Sequence, residues 1–286
     1  MKEVFLKWKL REIATLGVTL FLGFSFFLKP AQAQTKNNLP FHTRVTYDVA
    51  YIGDSTDISV VFEEPCYLFI GDEIALSESV ESFDAENSDS VQMTRIENGV
   101  VRLSWAILKE EEKITTYDSF SQVRDDKDWR FVYTEPADFD WELQDDTMTI
   151  EGLLCQKAIC EFGGRTWVAW FSPDIAFSSG PYKFQGLPGL IVSVHDTQDH
   201  WKFKIREIER PEAGYVVSMN FFDTYKTTDK EKFFKDQHYY RKNYMEIEEA
   251  NGKDFMNPEN RAIIKENVEM GFKQSSNWIE LYKFQK

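Results

Sequence analysis

Gly180-Pro181-Tyr182-Lys183-Phe184-Gln185-Gly186-Leu187-Pro188-Gly189-Leu190-Ile191 is the stretch on which the reading of this chain turns. Three glycines and two prolines stand among large apolar residues, so the backbone must bend sharply while its hydrophobic side chains stay together. Leu187-Pro188-Gly189-Leu190 fits a type II turn, with proline setting φ near about −65° and glycine taking the positive φ that follows. Gly186, Pro188 and Gly189 are therefore the structural turn. The next residues, Leu190-Ile191-Val192-Ser193-Val194, are apolar and β-branched and read as a buried strand. The stretch is then a corner feeding a core strand. Its alternative role is an apolar lip that touches a ligand or partner, since loops on rigid scaffolds often carry function.

Upstream, Gly163-Gly164 suits a two-residue hairpin turn. That register sets Phe162 opposite Arg165, Cys160 opposite Trp167 and Ala158 opposite Ala169. One face then carries Phe162, Cys160, Ala158, Trp167, Ala169 and Phe171, apolar except for Arg165 beside the turn. The other mixes Ile159, Val168 and Trp170 with Glu161, Lys157 and Thr166, which suggests a sheet covered on one side and partly open on the other.

The run Gly186-Leu187-Pro188-Gly189-Leu190-Ile191 resembles the namesake hexapeptide of the GLPGLI family of exported bacterial proteins. The segments Gly152-Leu153-Leu154-Cys155-Gln156-Lys157-Ala158 and Gly164-Arg165-Thr166-Trp167-Val168-Ala169-Trp170-Phe171-Ser172-Pro173-Asp174-Ile175 are similar to that family's approach to it, and Asn277-Trp278-Ile279-Glu280-Leu281 adds a fainter match. The resemblance is specific over residues 140–195. It implies export and a β-rich fold; the family has no assigned activity, so it implies no catalytic residue.

The amino terminus agrees with export. Lys2, Lys7, Lys9 and Arg11 precede a largely apolar run over 14–28, and Ala31-Gln32-Ala33 supplies a small-residue cleavage pattern, so residues 1–33 read as a signal peptide. Fifteen residues fall short of the ~20 that cross a bilayer, and no later segment is long and apolar enough to span. Residues 34–286 are then one domain in the periplasm or at the outer membrane. Without the leader the chain carries 28 basic against 46 acidic residues. A net charge of −18 repels phosphate backbones and excludes nucleic acid as a partner.

Alternating patterns predict strands over 42–51, 58–62, 67–70, 91–96, 100–108, 113–117, 129–133, 140–143, 201–208 and 215–222, with Asn98-Gly99 as a hairpin turn. The acidic, serine-rich residues 71–90 read as a loop. Thr228-Asp229-Lys230-Glu231 is a capping box; Phe233, Tyr240, Tyr244 and Ile247 share one face of the helix it opens, which Gly252 ends. Asn257 and Pro258 start a second helix ending at Gly271, with Ile264 and Val268 inward. Residues 278–284 read as a last strand. The expected fold is mainly β: a strongly curved, half-barrel or barrel-like antiparallel sheet with two C-terminal helices packed on it, the helical segment being about 228–271.

The three cysteines, Cys66, Cys155 and Cys160, are disulfide candidates in an oxidising compartment. Five steps along one strand part Cys155 from Cys160 by about 16 Å, so any bridge joins Cys66 to one of them. Cys155 is the candidate for a reactive thiol. His195, Asp196, Asp199 and His200 are weak metal candidates, because their spacing follows no established zinc pattern. The expectation is no metal and no cofactor. Ser179 lies in no nucleophile elbow, and Asp125, Asp126, Asp145 and Asp146 read as a solvated rim.

With aromatics at 15% and no catalytic signature, the leading expectation is a non-enzymatic binding or carrier-like module. Trp170, Tyr182, Phe184 and Leu187 would contact an apolar or amphipathic ligand or an envelope protein. The alternatives are a metal-assisted or carboxylate-based hydrolase, and a structural accessory subunit of an outer-membrane complex.

Overall fold

The chain divides into two units, Met1–Asn37 and Asn38–Lys286. The computed structural model describes residues 38–80, 96–97, 100–101, 103–120, 129–252, 254, 257–274 and 276–281. Residues 1–33, read from the sequence as a signal peptide, Asn98-Gly99, read as a hairpin turn, and Asp125 and Asp126 lie outside them.

Strands in chain order are β1 (Asn38–Phe41), β2 (Thr43–Ile52), β3 (Val61–Ile70), β4 (Ala75–Ser79), β5 (Ile96–Glu97), β6 (Val100–Val101), β7 (Ala106–Lys109), β8 (Lys113–Ser119), β9 (Arg130–Pro136), β10 (Glu142–Ile150), β11 (Leu153–Phe162), β12 (Arg165–Ser172), β13 (Leu190–Asp196), β14 (Trp201–Glu209), β15 (Tyr215–Ser218) and β16 (Lys226–Thr227). Twelve form one sheet, in the order β10-β11-β12-β13-β14-β2-β3-β4-β7-β8-β9-β16. It consists of two antiparallel meanders joined edge to edge where β14 pairs with β2, plus a short parallel strand beside β9. The sheet does not close, and a half-barrel describes it. Bulges at Trp170/Phe171, Ile205/Glu207 and Leu143/Thr147 supply local bending.

The alternation expected in β2 holds in part: Val45, Tyr47 and Val49 are buried and Asp48 is exposed, but Thr46 on the Asp48 side is buried as well. One core cluster gathers them with Leu68, Ile107, Ile114, Trp167, Phe171 and Phe203. Side chains from strands so far apart in the sheet order meet only because the sheet wraps around them. The 180–190 stretch lies inside this wrap, with Phe184 fully buried against Trp167 and the Tyr47 hydroxyl donating to the Ile191 carbonyl at 2.7 Å. A second cluster, with Phe41, Phe69, Leu76 and Val217, joins the β1–β15 pair to the large sheet.

Three helices follow: α1 (Lys230–Lys242), α2 (Tyr244–Ala250) and α3 (Pro258–Gln274). Asp229, one residue later than the capping box implied, caps α1 by accepting from Lys232 N. The single helix expected from there to Gly252 breaks at Asn243, so three helices stand where two were expected. Asn257 caps α3 as read, accepting from Asn260 N at 2.9 Å, but the helix runs past Gly271 to Gln274. Phe233, Tyr240 and Tyr244 pack with Phe120, Phe131 and Tyr133 from the sheet. Among the described residues no helix is long and apolar enough to cross a membrane.

Other differences have local causes. Residues 75–79, expected in a loop, form the fully buried β4 between β3 and β7, so two serines and a glutamate inside a sheet hid a strand. Pro65 does not split β3: β4 pairs only from Cys66 onward, and a missing N–H is tolerated on the free stretch. β15 stops at Ser218 and gives way to a 3-10 turn over Asn220–Thr224. Residues 278–281 form no strand.

Candidate functional site

The β11–β12 hairpin has the register expected from sequence, with Phe162 opposite Arg165, Cys160 opposite Trp167 and Ala158 opposite Ala169. Gly163 and Gly164 both take positive φ, +60° and +78°, as a two-residue turn of this hand requires. Segment 277–281 lies against the turn: a Cβ on Gly163 would stand 2.8 Å from Glu280 Cγ.

Arg165, the one charge on the dry face, fastens that segment. Its Nη1 pairs with Asp196 Oδ2 at 2.7 Å, both side chains being buried. Its Nη2 donates to Asn277 Oδ1 and to the Trp278 carbonyl, and Nε to the carbonyls of Trp278 and Ile279. Asn277 bonds the Ile52 and Gly53 carbonyls through its side chain and backbone amide. The Trp201 indole N–H donates to its carbonyl. Segment 277–281 is thus a strap tied by hydrogen bonds to β2, β12 and β14.

Three residues along the strap, Glu280 enters a buried ionic cluster. Lys183 from the 180–190 stretch donates to Glu280 Oε1 and Glu135 Oε1, each at 2.5 Å. Lys230 at the start of α1 reaches the other oxygens of both carboxylates, at 2.6 and 2.5 Å. The Tyr182 hydroxyl donates to Glu280 at 2.6 Å, and Lys183 also reaches the Tyr133 hydroxyl. Two ammoniums thus face two carboxylates. Burial alone would raise Glu280, but Lys183 and Lys230 hold it down to about 2. Burial opposes the charge on Lys183 too, yet Glu280 and Glu135 keep its affinity for the proton above the ordinary value. Burial, then the Glu280 charge, raises the Tyr182 hydroxyl well above the usual phenol range, so it stays a donor.

Over this cluster, between sheet, α1, α3 and strap, lies a cavity of ≈ 120 Å³. Its walls include Tyr51, Trp105, Tyr182, Trp201 and Trp278. Trp201 stacks on Tyr51 with ring centroids 4.6 Å apart, and Trp105 meets Tyr182 edge to face at 5.3 Å. The Arg241 guanidinium lies over the rings of Trp278 and Phe272, 4.7 and 5.3 Å from their centres. Burial brings it down to about 10. Trp105 is only 4% exposed, and its indole N–H has no hydrogen-bond partner among the described residues. A buried donor left unpaired costs about 1–3 kcal/mol, an outlay that a bound acceptor would remove.

The residues singled out in the sequence fall differently. Phe184 and Leu187 are core, at 0% and 1% exposure, and present no lip to a ligand. Tyr182 is equally buried but forms part of the cavity wall. Trp170 is half-buried, between Lys157 on β11 and Ser193 on β13. Gly189 does not take the positive φ of a type II turn; the positive φ of +93° is at Gly186. Instead, Gly189 N bonds the Leu187 carbonyl at 2.8 Å, closing a tighter three-residue turn about Pro188.

The disulfide candidates Cys66, Cys155 and Cys160 are free, buried thiols, and no bridge joins Cys66 to either of the others. Cys66 is on β3, five strands from β11, which carries the other two. Burial raises all three thiols, Cys160 to about 12, so the reactive role considered for Cys155 has no support either. Of the metal candidates, Asp196 is committed: Oδ2 pairs with Arg165, and Oδ1 accepts from the amides of His200 and Trp201. Asp199 is exposed and pairs with Lys202. Among the described residues no three histidine, cysteine or carboxylate side chains are grouped as a metal site needs. Asp145 and Asp146 are exposed on β10. Trp105, Lys183, Arg241 and Glu280 were absent from the sequence-based site. Lys183 lay inside the central 180–191 stretch and Glu280 inside the faint family match over 277–281, but neither was singled out.

Comparison with known proteins is consistent with an uncharacterised family. Residues 161–193, the β12 hairpin through the central turn, match a family described as "Protein of unknown function (Porph_ging)". That description does not carry the GLPGLI name. No curated protein matches the chain. Among solved structures, those of PNGF-II in the P21 and C2 space groups are similar at 11% identity and a TM-score of 0.46, over 70% of this chain. The chain spans about a third of their length, 33% and 32%.

Proposed function

We propose that this protein is an exported, non-enzymatic binding module whose ligand chamber is the cavity between the half-barrel and its strap. The unpaired Trp105 indole N–H in an aromatic wall is the observation that carries this reading. An indole N–H only donates, so the ligand presents an acceptor there and an apolar ring or short chain to the walls. A cavity of about 150 Å³ holds benzene, so the present one suits a single small ring, below the ~300–1,000 Å³ of drug-sized sites. Export rests on the leader at 1–33, and a periplasmic or outer-membrane address follows from it. The hydrolase alternative drew on the His195/His200 cluster and the acidic surplus; within that cluster Asp196 is taken up by Arg165, which weakens it as a metal site.

Titration with phenol, read by tryptophan fluorescence, tests the chamber. Saturable binding is expected, weakened about fivefold or more in Trp105→Phe, which keeps an aromatic ring and loses the donor. Native mass spectrometry of protein isolated gently from its own envelope should show a small added mass. A bare polypeptide mass, together with no saturable phenol binding, overturns the reading.

A further inference from the structure

Trp105 precedes β7 and Lys109 ends it, and the two residues line different cavities. At the Lys109 end, the β3–β4 turn, the β7–β8 turn and residues 176–179 frame an open cleft of ≈ 900 Å³. Lys109 is part of its wall yet only 2% exposed. Its amine donates to the Gly180 carbonyl, and among the described residues it meets no carboxylate within ion-pairing distance. This sets it apart from Lys183, whose buried charge is answered by Glu280 and Glu135. Desolvation therefore acts on Lys109 almost unopposed and brings it down to about 7, the one opposing influence among the described residues being the buried Cys66 thiol. Ser179 lines the same cleft at 6% exposure, and its hydroxyl has no partner among the described residues.

We propose that Lys109 and Ser179 form a second site, in which the lysine amine captures an uncharged aldehyde or ketone as an imine. The amine lone pair attacks the carbonyl carbon, and one N–H proton passes to the oxygen to give a carbinolamine. The hydroxyl then leaves with the second N–H proton as water while the C=N bond forms. No oxidant or reductant enters. A neutral amine is the nucleophile this needs, and a buried lysine with no counter-ion supplies it. The Ser179 hydroxyl is free to donate to the carbonyl oxygen. Asp72, Glu73, Glu110 and Glu111 around the cleft disfavour a carboxylated carbonyl compound. This site is independent of the aromatic chamber and stands or falls without it.

Reductive trapping on the intact protein tests the proposal: propanal with cyanoborohydride at neutral pH, followed by peptide mass mapping. Lys109 should acquire the propyl group at least about tenfold faster than the exposed Lys202 and Lys204, which are held in surface ion pairs with Asp199 and Glu151. The preference should vanish in urea. Ser179→Ala should slow labelling of Lys109, and glyoxylate should react there more slowly than propanal. Labelling of the exposed lysines with Lys109 untouched overturns the site. Unchanged rates in Ser179→Ala, or faster reaction with glyoxylate, overturn the assigned serine and the charge preference respectively.

Discussion

Glycine serves two separate physical needs in this chain. Gly163 and Gly164 supply positive φ at a hairpin tip, where an L side chain is strained. Gly189 has ordinary φ but no room: a Cβ there would lie 2.2 Å from the Ser172 carbonyl oxygen. Gly152 is the opposite case, with φ of +80° and nothing within 4 Å of the place a Cβ would take. Gly152→Ala should therefore cost about 1 kcal/mol, the strain of a left-handed residue. Gly189→Ala must displace backbone and should cost about 3 kcal/mol or more, read from urea midpoints of the two variants. A smaller loss at Gly189 than at Gly152 would contradict the packing described. The need for glycine at 189 was legible in the sequence, but its reason was not, because contact with Ser172 is a matter of tertiary approach.

At the scale of elements, the strap over 277–281 has no regular structure, yet it is held as firmly as a strand. Its backbone groups bond to Arg165, Trp201, Gly53 and Gly163 instead of to a ladder. Arg165→Met should strand Asp196 without its partner and destabilise the fold by about 3–5 kcal/mol. Hydrogen exchange should then quicken at 277–281 before it does in β12 or β13. Uniform acceleration across the sheet would show that the strap is not a separate unit. Sequence periodicity predicted a strand there because Trp278, Ile279 and Leu281 look apolar. Nothing local reveals that the backbone partners come from Arg165, more than a hundred positions away. The hairpin that carries Arg165 was legible, register included, since two adjacent glycines and a period of two determine it.

For the whole molecule, the Glu280 cluster joins four distant parts of the chain: the strap, the central stretch, β9 and α1. Its effect on stability follows from linkage. The folded Glu280 carboxyl lies at about 2, below its unfolded value near ~4.3. Its contribution is therefore fully present above about pH 4.3 and is lost as pH falls toward 2. Glu280→Gln should cost about 3–5 kcal/mol at pH 7 by leaving the buried lysines short of a partner. The gap between variant and wild type, followed by urea unfolding at pH 7, 4 and 2.5, should narrow through that acid range. A constant gap would mean that Glu280 is not held ionised in the fold.

The sequence by itself determined the class of fold, the hairpin and its dry face, the caps at Asp229 and Asn257 to within a residue, and an acidic surface. Each of these depends on neighbours a few positions away, where periodicity and turn chemistry act directly. Tertiary structure alone decided that Phe184 and Leu187 are core, that the cysteines stay apart, and that Trp105, Arg241 and Glu280 share one chamber. Burial and charge pairing join residues far apart along the chain, and no local pattern records which of them will meet when a sheet curls around its own loop.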